Sequence, residues 1–238
     1  MITSEEAKRT AGGSFELTAT DRTAVDRGDS NYINNKGAAL YREGTYAQAV
    51  EYYRLAAAMG NIHAVSNLGY CYLYGRDTEP DTQLAIAYFK TAAAGGDVDA
   101  AYKLGDIYSR DKWGLKDPEM SVYYYRMAAS FIIDTPWENS CIITYCSRLQ
   151  EYPSLCYALG RELFSGENMP RDIESAYQFL KQAEAGYRIE LANGSSMYEK
   201  VFAGVEELLA DPRFNHIRKR LDAVFDEEYG EETAECIL

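Results

Sequence analysis

Ala64 to Gly96 reads AVSNLGYCYLYG, a short polar gap RDTEP, then DTQLAIAYFKTAAAGG. In its first half Ala64, Leu68, Tyr72 and the pair Val65, Gly69 recur at four-residue spacing, so one helical stripe carries both the apolar residues and the smallest residue. Ala85, Phe89, Ala92 and Ala93 do the same in the second half. The two halves predict a helical hairpin. A glycine facing an alanine would let the axes approach to about 8–10 Å, with Tyr72 and Phe89 filling the flanks.

The same residue types recur along the chain. Thirty-six residues on, Leu104, Gly105, Tyr108, Tyr125 and Ala128 take the roles of Leu68, Gly69, Tyr72, Phe89 and Ala92. A further 55 residues on, read as 36 plus an insertion of 19, stand Leu159, Gly160, Leu163, Ala176, Leu180 and Ala183. Thirty-two residues back from Gly69 lies Gly37, followed by Leu40, Ala49, Tyr53 and Ala56. Units of this size cannot bury their apolar faces alone and must stack to do so. The expected fold class is therefore all-α, an α/α superhelical solenoid of helical hairpins with an inserted helix and a C-terminal capping helix pair.

The residues also match a known pattern. KGAALYREGTYAQAVEYYRLA, with Gly37, Gly44, Tyr46, Ala49, Tyr53 and Ala56, resembles a tetratricopeptide repeat. The later units, with AYFKTAAAGGD and SAYQFLKQAEAG, resemble the longer SEL-one-like repeat. The resemblance spans Asn31 to Gly186. The third unit departs from it, with Ser121 where alanine is expected and Phe131 where a glycine would close the hairpin.

This reading divides the chain into a flexible leader (1–29), repeats at about 30–61, 62–97, 98–130 and 154–186, and a C-terminal segment (187–238) of capping helices and an acidic tail. Thr135, Pro136, Trp137 and Glu138 form a capping box that predicts an inserted helix over 135–151, with Trp137, Cys141, Ile142, Tyr145, Cys146 and Leu149 on one face. A second capping box, Ser196 to Glu199, opens the terminal pair. Its apolar residues include Phe202, Leu209, Phe214 and Phe225.

The net charge of −13 argues against nucleic acid, which rewards clustered Lys and Arg, and against an anionic membrane surface. No apolar run reaches the roughly 20 residues of a membrane span. The opening MITSEEAKRTAGGSFE lacks the order of a secretion signal. Five cysteines, odd in number and off the repeat spacing, point to reduced thiols and a cytoplasmic protein, a bridge between Cys141 and Cys146 remaining open.

No catalytic set, metal or cofactor is expected. The two histidines, His63 and His216, lie in different elements without a second histidine one turn away. Ser154 and Ser165 have no histidine partner in sequence, and Asp106 and Glu162 read as ordinary surface carboxylates.

In stacked hairpins the first helix of each unit lines the concave face. The candidate contacts for a peptide or partner helix are thus Asn31, Asn34 and Asn35 in the first unit and His63, Asn67 and Tyr70 in the second. Asp99, Tyr102, Lys103 and Asp106 follow in the third, and Tyr157 and Arg161 in the fourth. Asparagine offers both donor and acceptor to an extended backbone, and Lys103 or Arg161 could meet a carboxylate. The resemblance implies the same use, with asparagines at the place of Asn67. The expected function is a non-catalytic protein-interaction scaffold. The alternatives are an enzyme or small-molecule receptor with a pocket at the junction 131–160, and self-association as a homodimer through the C-terminal helices.

Overall fold

The computed structural model describes residues 15–132 and 147–220. They are helical, and no strand occurs among them. The helices are α1 (Ala19–Asp26), α2 (Ser30–Arg42), α3 (Tyr46–Ala58), α4 (Ile62–Tyr74), α5 (Thr82–Ala94), α6 (Val98–Ser109), α7 (Pro118–Ser130), α8 (Pro153–Ser165), α9 (Ile173–Ala192) and α10 (Glu199–Leu209), and a further helical turn is described at 215–220. The chain forms two compact units, Met1–Leu104 and Gly105–Leu238, divided inside α6.

Most starts are set by an acidic or amide side chain that accepts the amide three residues on. Asp29, Asn61, Asp81, Asp117 and Asp172 each hold their helix this way, at 2.9, 2.9, 2.9, 3.1 and 3.1 Å. Such a cap contributes about 1 kcal/mol. Gly44, in the turn between α2 and α3, has a φ of 80°, a conformation in which a side chain would be strained.

In the first unit α2 packs on α3 and α4 on α5. The glycines do not face alanines, as the sequence suggests, but the large residue itself. A Cβ at Gly37 would lie 2.9 Å from the Tyr53 ring, and one at Gly69 2.8 Å from Phe89. The missing side chain makes room for a ring, with Ala49, Ala56, Ala85 and Ala92 wholly buried around it. Residues 15–29, grouped with the leader, are not loose. Thr18 and Asp21 form a capping box on α1, and Asp21, fully buried, accepts from Lys36 and Tyr52 at 2.7 Å each. Burial alone would raise that carboxyl. The hydrogen bonds from Lys36, Thr18 and Tyr52 outweigh it and hold Asp21 well below the usual carboxylate range.

The second unit repeats the scheme. A Cβ at Gly105 would lie 2.5 Å from Tyr125, and one at Gly160 2.7 Å from Leu180. Ser121, the departure from the alanine template, donates its hydroxyl to the Gly105 carbonyl at 3.1 Å, so the polar atom is satisfied in the core. The helix that carries the fourth repeat does not stop at Gly186. It continues to Ala192, and Gly186 is instead where the backbone at Gln150, in the 3-10 turn Ser147–Glu151, comes against α9.

The box expected at Ser196 does not form. A 3-10 turn, Ser196–Tyr198, leads into α10 with no side-chain cap. Phe214 is buried against Phe164 and Tyr177, with ring centroids 5.1 and 5.3 Å apart, and Arg188 lies over Phe202. The capping box at Thr135, the face from Trp137 to Cys146, Phe225, Cys236 and the acidic tail lie outside the described residues.

Candidate peptide-binding face

The candidate side chains fall on α2, α4 and α6 and on α8, and are taken unit by unit. In the first unit, residues at the N-cap and second turn of one repeat's first helix reach the first helix of the repeat before it. Asn61 caps α4 through its Oδ1, and its Nδ2 donates to Asn31 Oδ1 at 2.8 Å. Asp97 does the same one repeat on, accepting from the Ala100 amide at 2.7 Å with one oxygen and meeting His63 Nδ1 at 2.6 Å with the other. Each clasp therefore caps one helix and ties it to the first helix of the preceding repeat. Asn67 Nδ2 donates to Asn34 Oδ1 at 3.0 Å, and Asn34 Nδ2 contacts Asn35 Oδ1 at 3.5 Å.

These bonds separate the predicted contacts into two groups. Asn31, Asn35 and His63 are exposed and Asn67 is half-buried, so all four can be reached from solvent. Asn34 and Lys103 are buried, because their turns face the neighbouring helix. They belong to the wall rather than to an open surface. Tyr70 is not a free anchor either. Its ring stands edge-on to Phe89 at 5.0 Å and stacks on Tyr74 at 6.3 Å, with the Lys103 ammonium 5.3 Å from its centroid. Burial, with Asp99 and Tyr102 nearby, holds its hydroxyl well above the ordinary range.

Tyr102 is half-buried, its ring 5.1 Å from the same ammonium. Asp99 is exposed, although protein crowds its carboxyl on one side. That desolvation, with Asp97 alongside, pushes its carboxyl up to about 6 against the pull of His63 and Lys103. Cys71, buried, has its thiol pushed up to about 12, which keeps it protonated and unreactive at neutral pH.

In the second unit the reading of Asp106 as a surface contact is corrected in the same way. It is buried and ion-paired with Arg110, one turn along the helix. Glu162, read as an ordinary surface carboxylate, is also buried, and it accepts from Arg161 at 3.2 Å and from Asn168 at 2.7 Å. Arg161 lies over the Tyr157 ring at 5.8 Å, and both are half-buried.

The clasps of Asn61 and Asp97 and the Asn168 bond were missed in sequence. The clasps had a signal, since the two capping residues stand 36 positions apart. No group of three or more His, Cys, Asp or Glu placed to hold a metal ion occurs among the described residues. No helix among them is long and apolar enough to cross a membrane.

Known proteins resemble this arrangement in family and in fold. A family model for the Sel1 repeat matches residues 34–61, 62–97, 98–130 and 153–186. The fold is similar to the crystal structure of a protective antigen present in uropathogenic Escherichia coli strains that displays an SLR fold, with 22% identity and a TM-score of 0.52 over 71% of this chain and 33% of that one. A Sel1 repeat protein from Oxalobacter formigenes is also similar, with 22% identity and a TM-score of 0.49 over 66% of this chain and 58% of that one. This chain thus spans a third of the Escherichia coli protein and little more than half of the Oxalobacter formigenes one. No curated protein matches it.

Proposed function

The chain belongs to the Sel1 repeat family, and on that premise we propose that it is a non-catalytic scaffold holding an extended peptide or a partner helix on the face of its first helices. Proteins of this family are typically non-catalytic interaction scaffolds. The observation that carries the finer reading is the fixed asparagine pair of the first unit. Asn67 spends its amide on Asn34, which sets its rotamer, and no bond to its Oδ1 is made among the described residues. Asn35 and Asn31, each tied at one oxygen, keep exposed amide donors. Side chains ordered before binding lose little entropy on contact, which favours recognition of a peptide backbone over any one side chain.

Affinity capture with the purified chain, followed by calorimetric titration of the captured protein, tests this. Asn35→Ala with Asn67→Ala should weaken binding at least tenfold while leaving the helical signal unchanged. Affinity untouched by the double change would remove the asparagine face as the site.

The junction reading finds less support. In its described part, Leu149, Leu155 and Cys156 are buried, and the Cys156 thiol donates to the Leu149 carbonyl at 3.3 Å.

A further inference from the structure

The outer surface of α7 breaks the repeat pattern in a second way. Where the preceding repeat has Ala87, Thr91 and Gly95, the third has Tyr123, Met127 and Phe131. These three, with Val122, line a shallow groove of about 570 Å³ flanked by Glu119 and Arg126. Tyr123 is 54% exposed although its ring is large and apolar. Glu119 and Arg126 are also exposed, and neither has a hydrogen bond or ion pair among the described residues.

Positions 119, 122, 123 and 126 fall on one stripe of the helix, since three- and four-residue steps return to the same face. Along that stripe the order is acid, apolar, apolar, base. An order of this kind is complementary to itself when reversed. If two such helices pack antiparallel about a twofold axis between Val122 and Tyr123, Glu119 of each copy meets Arg126 of the other, and Val122 of each meets the other's Tyr123. Met127 then lies against Pro118 of its mate, and Phe131 closes over the mate's Gly114 and Leu115.

A twofold contact uses the same patch on both copies and therefore requires this self-complementarity. We propose that the α7 face is a docking surface for a second copy of this chain, placed antiparallel with two reciprocal Glu119–Arg126 pairs. The contact involves one helix from each side, smaller than the roughly 1,200–2,000 Å² of a stable interface, so the dimer is weak and forms in the micromolar range. The buried side of α7, with Tyr125 against Gly105, takes no part, and changes on the outer stripe leave the repeat folded.

Sedimentation velocity on the whole chain from about 5 to 500 µM, with circular dichroism as the folding control, tests the proposal. The wild type should shift from monomer to dimer with concentration. Glu119→Arg alone, or Arg126→Glu alone, sets like charges opposite each other twice and should raise the dissociation constant at least tenfold. An equimolar mixture of the two single variants should dimerise again, because every cross-pair is then opposite in sign, and the double variant Glu119→Arg/Arg126→Glu should behave as wild type. Tyr123→Glu should abolish association with the fold intact. A chain that stays monomeric throughout overturns the proposal. So does a dimer indifferent to the charge changes, which would place the contact elsewhere on the chain.

Discussion

The second and third repeats share an interior and differ at the surface. In both, a glycine on the first helix receives a ring from the second, Gly69 with Phe89 and Gly105 with Tyr125. Both also place parallel tyrosines across the hairpin, Tyr72 on Tyr88 and Tyr108 on Tyr124, with centroids 5.4 and 5.8 Å apart and planes within 7°. The Asp81 and Asp117 caps match as well, but the outward-facing residues do not. Ala87, Thr91 and Gly95 give way to Tyr123, Met127 and Phe131, and His63 and Asn67 to Asp99 and Lys103. The lesson is that packing constrains one stripe of each helix and leaves the opposite stripe free to acquire a use.

The comparison is broken most severely at the glycines. Gly105→Ala should destabilise by about 3 kcal/mol and Gly69→Ala by about 2 kcal/mol in urea unfolding, because the added methyl meets a ring more closely at the first site. Equal, negligible costs would mean that the rings slide aside and that the glycine template is not a packing requirement. Next come the clasps. Asp97→Ala removes a cap and a bond to His63 and should cost about 2 kcal/mol, against about 1 kcal/mol for Asn61→Ala, whose bonds carry no charge. Hydrogen exchange of the first turns of α6 and α4 would show whether each loss is local.

Ser121 offers a smaller, reciprocal test. Ser121→Ala should cost about 1 kcal/mol by leaving the Gly105 carbonyl without the hydroxyl, whereas Ala85→Ser in the second repeat should be near neutral, since it can make the same bond. The smallest effect is at Asp99. Its carboxyl is pushed up to about 6 in the fold, above the unfolded value near 3.9. The protonated form is thus the one the fold favours, so this contribution is present at low pH and lost as pH rises through 6. Asp99→Asn should stabilise slightly at pH 8, by well under about 1 kcal/mol given its contact with water, and not at pH 4. Stabilisation of equal size at both pH values would show that charge is not the cause.

How much of this was legible follows the same division. Gly69, Gly105 and Gly160 announced the hairpins because packing repeats them at the period of the fold. Their partners were misassigned, since periodicity marks which residues are small without saying what approaches them. α1 escaped notice because it is short and is held by one buried ion pair, Asp21 with Lys36, rather than by an apolar stripe. On the candidate face, the template places Asn67 and His63, and both reach solvent in the fold. Asn34, Lys103 and Asp106 have the same polarity but turn toward neighbouring helices, and one-dimensional spacing does not distinguish a wall from a floor. Tyr70 was read as an anchor for the same reason.

The clasps give the segment from Ile62 to Asp97 an unusual independence. It holds both halves of its own fastener, His63 near its head and Asp97 at its tail, and the tail already supplies the cap for whatever helix comes next. Copied in tandem, such a cassette would arrive with its joint complete and would need no matching change in its neighbours. A gene could lengthen this protein by one repeat in a single duplication.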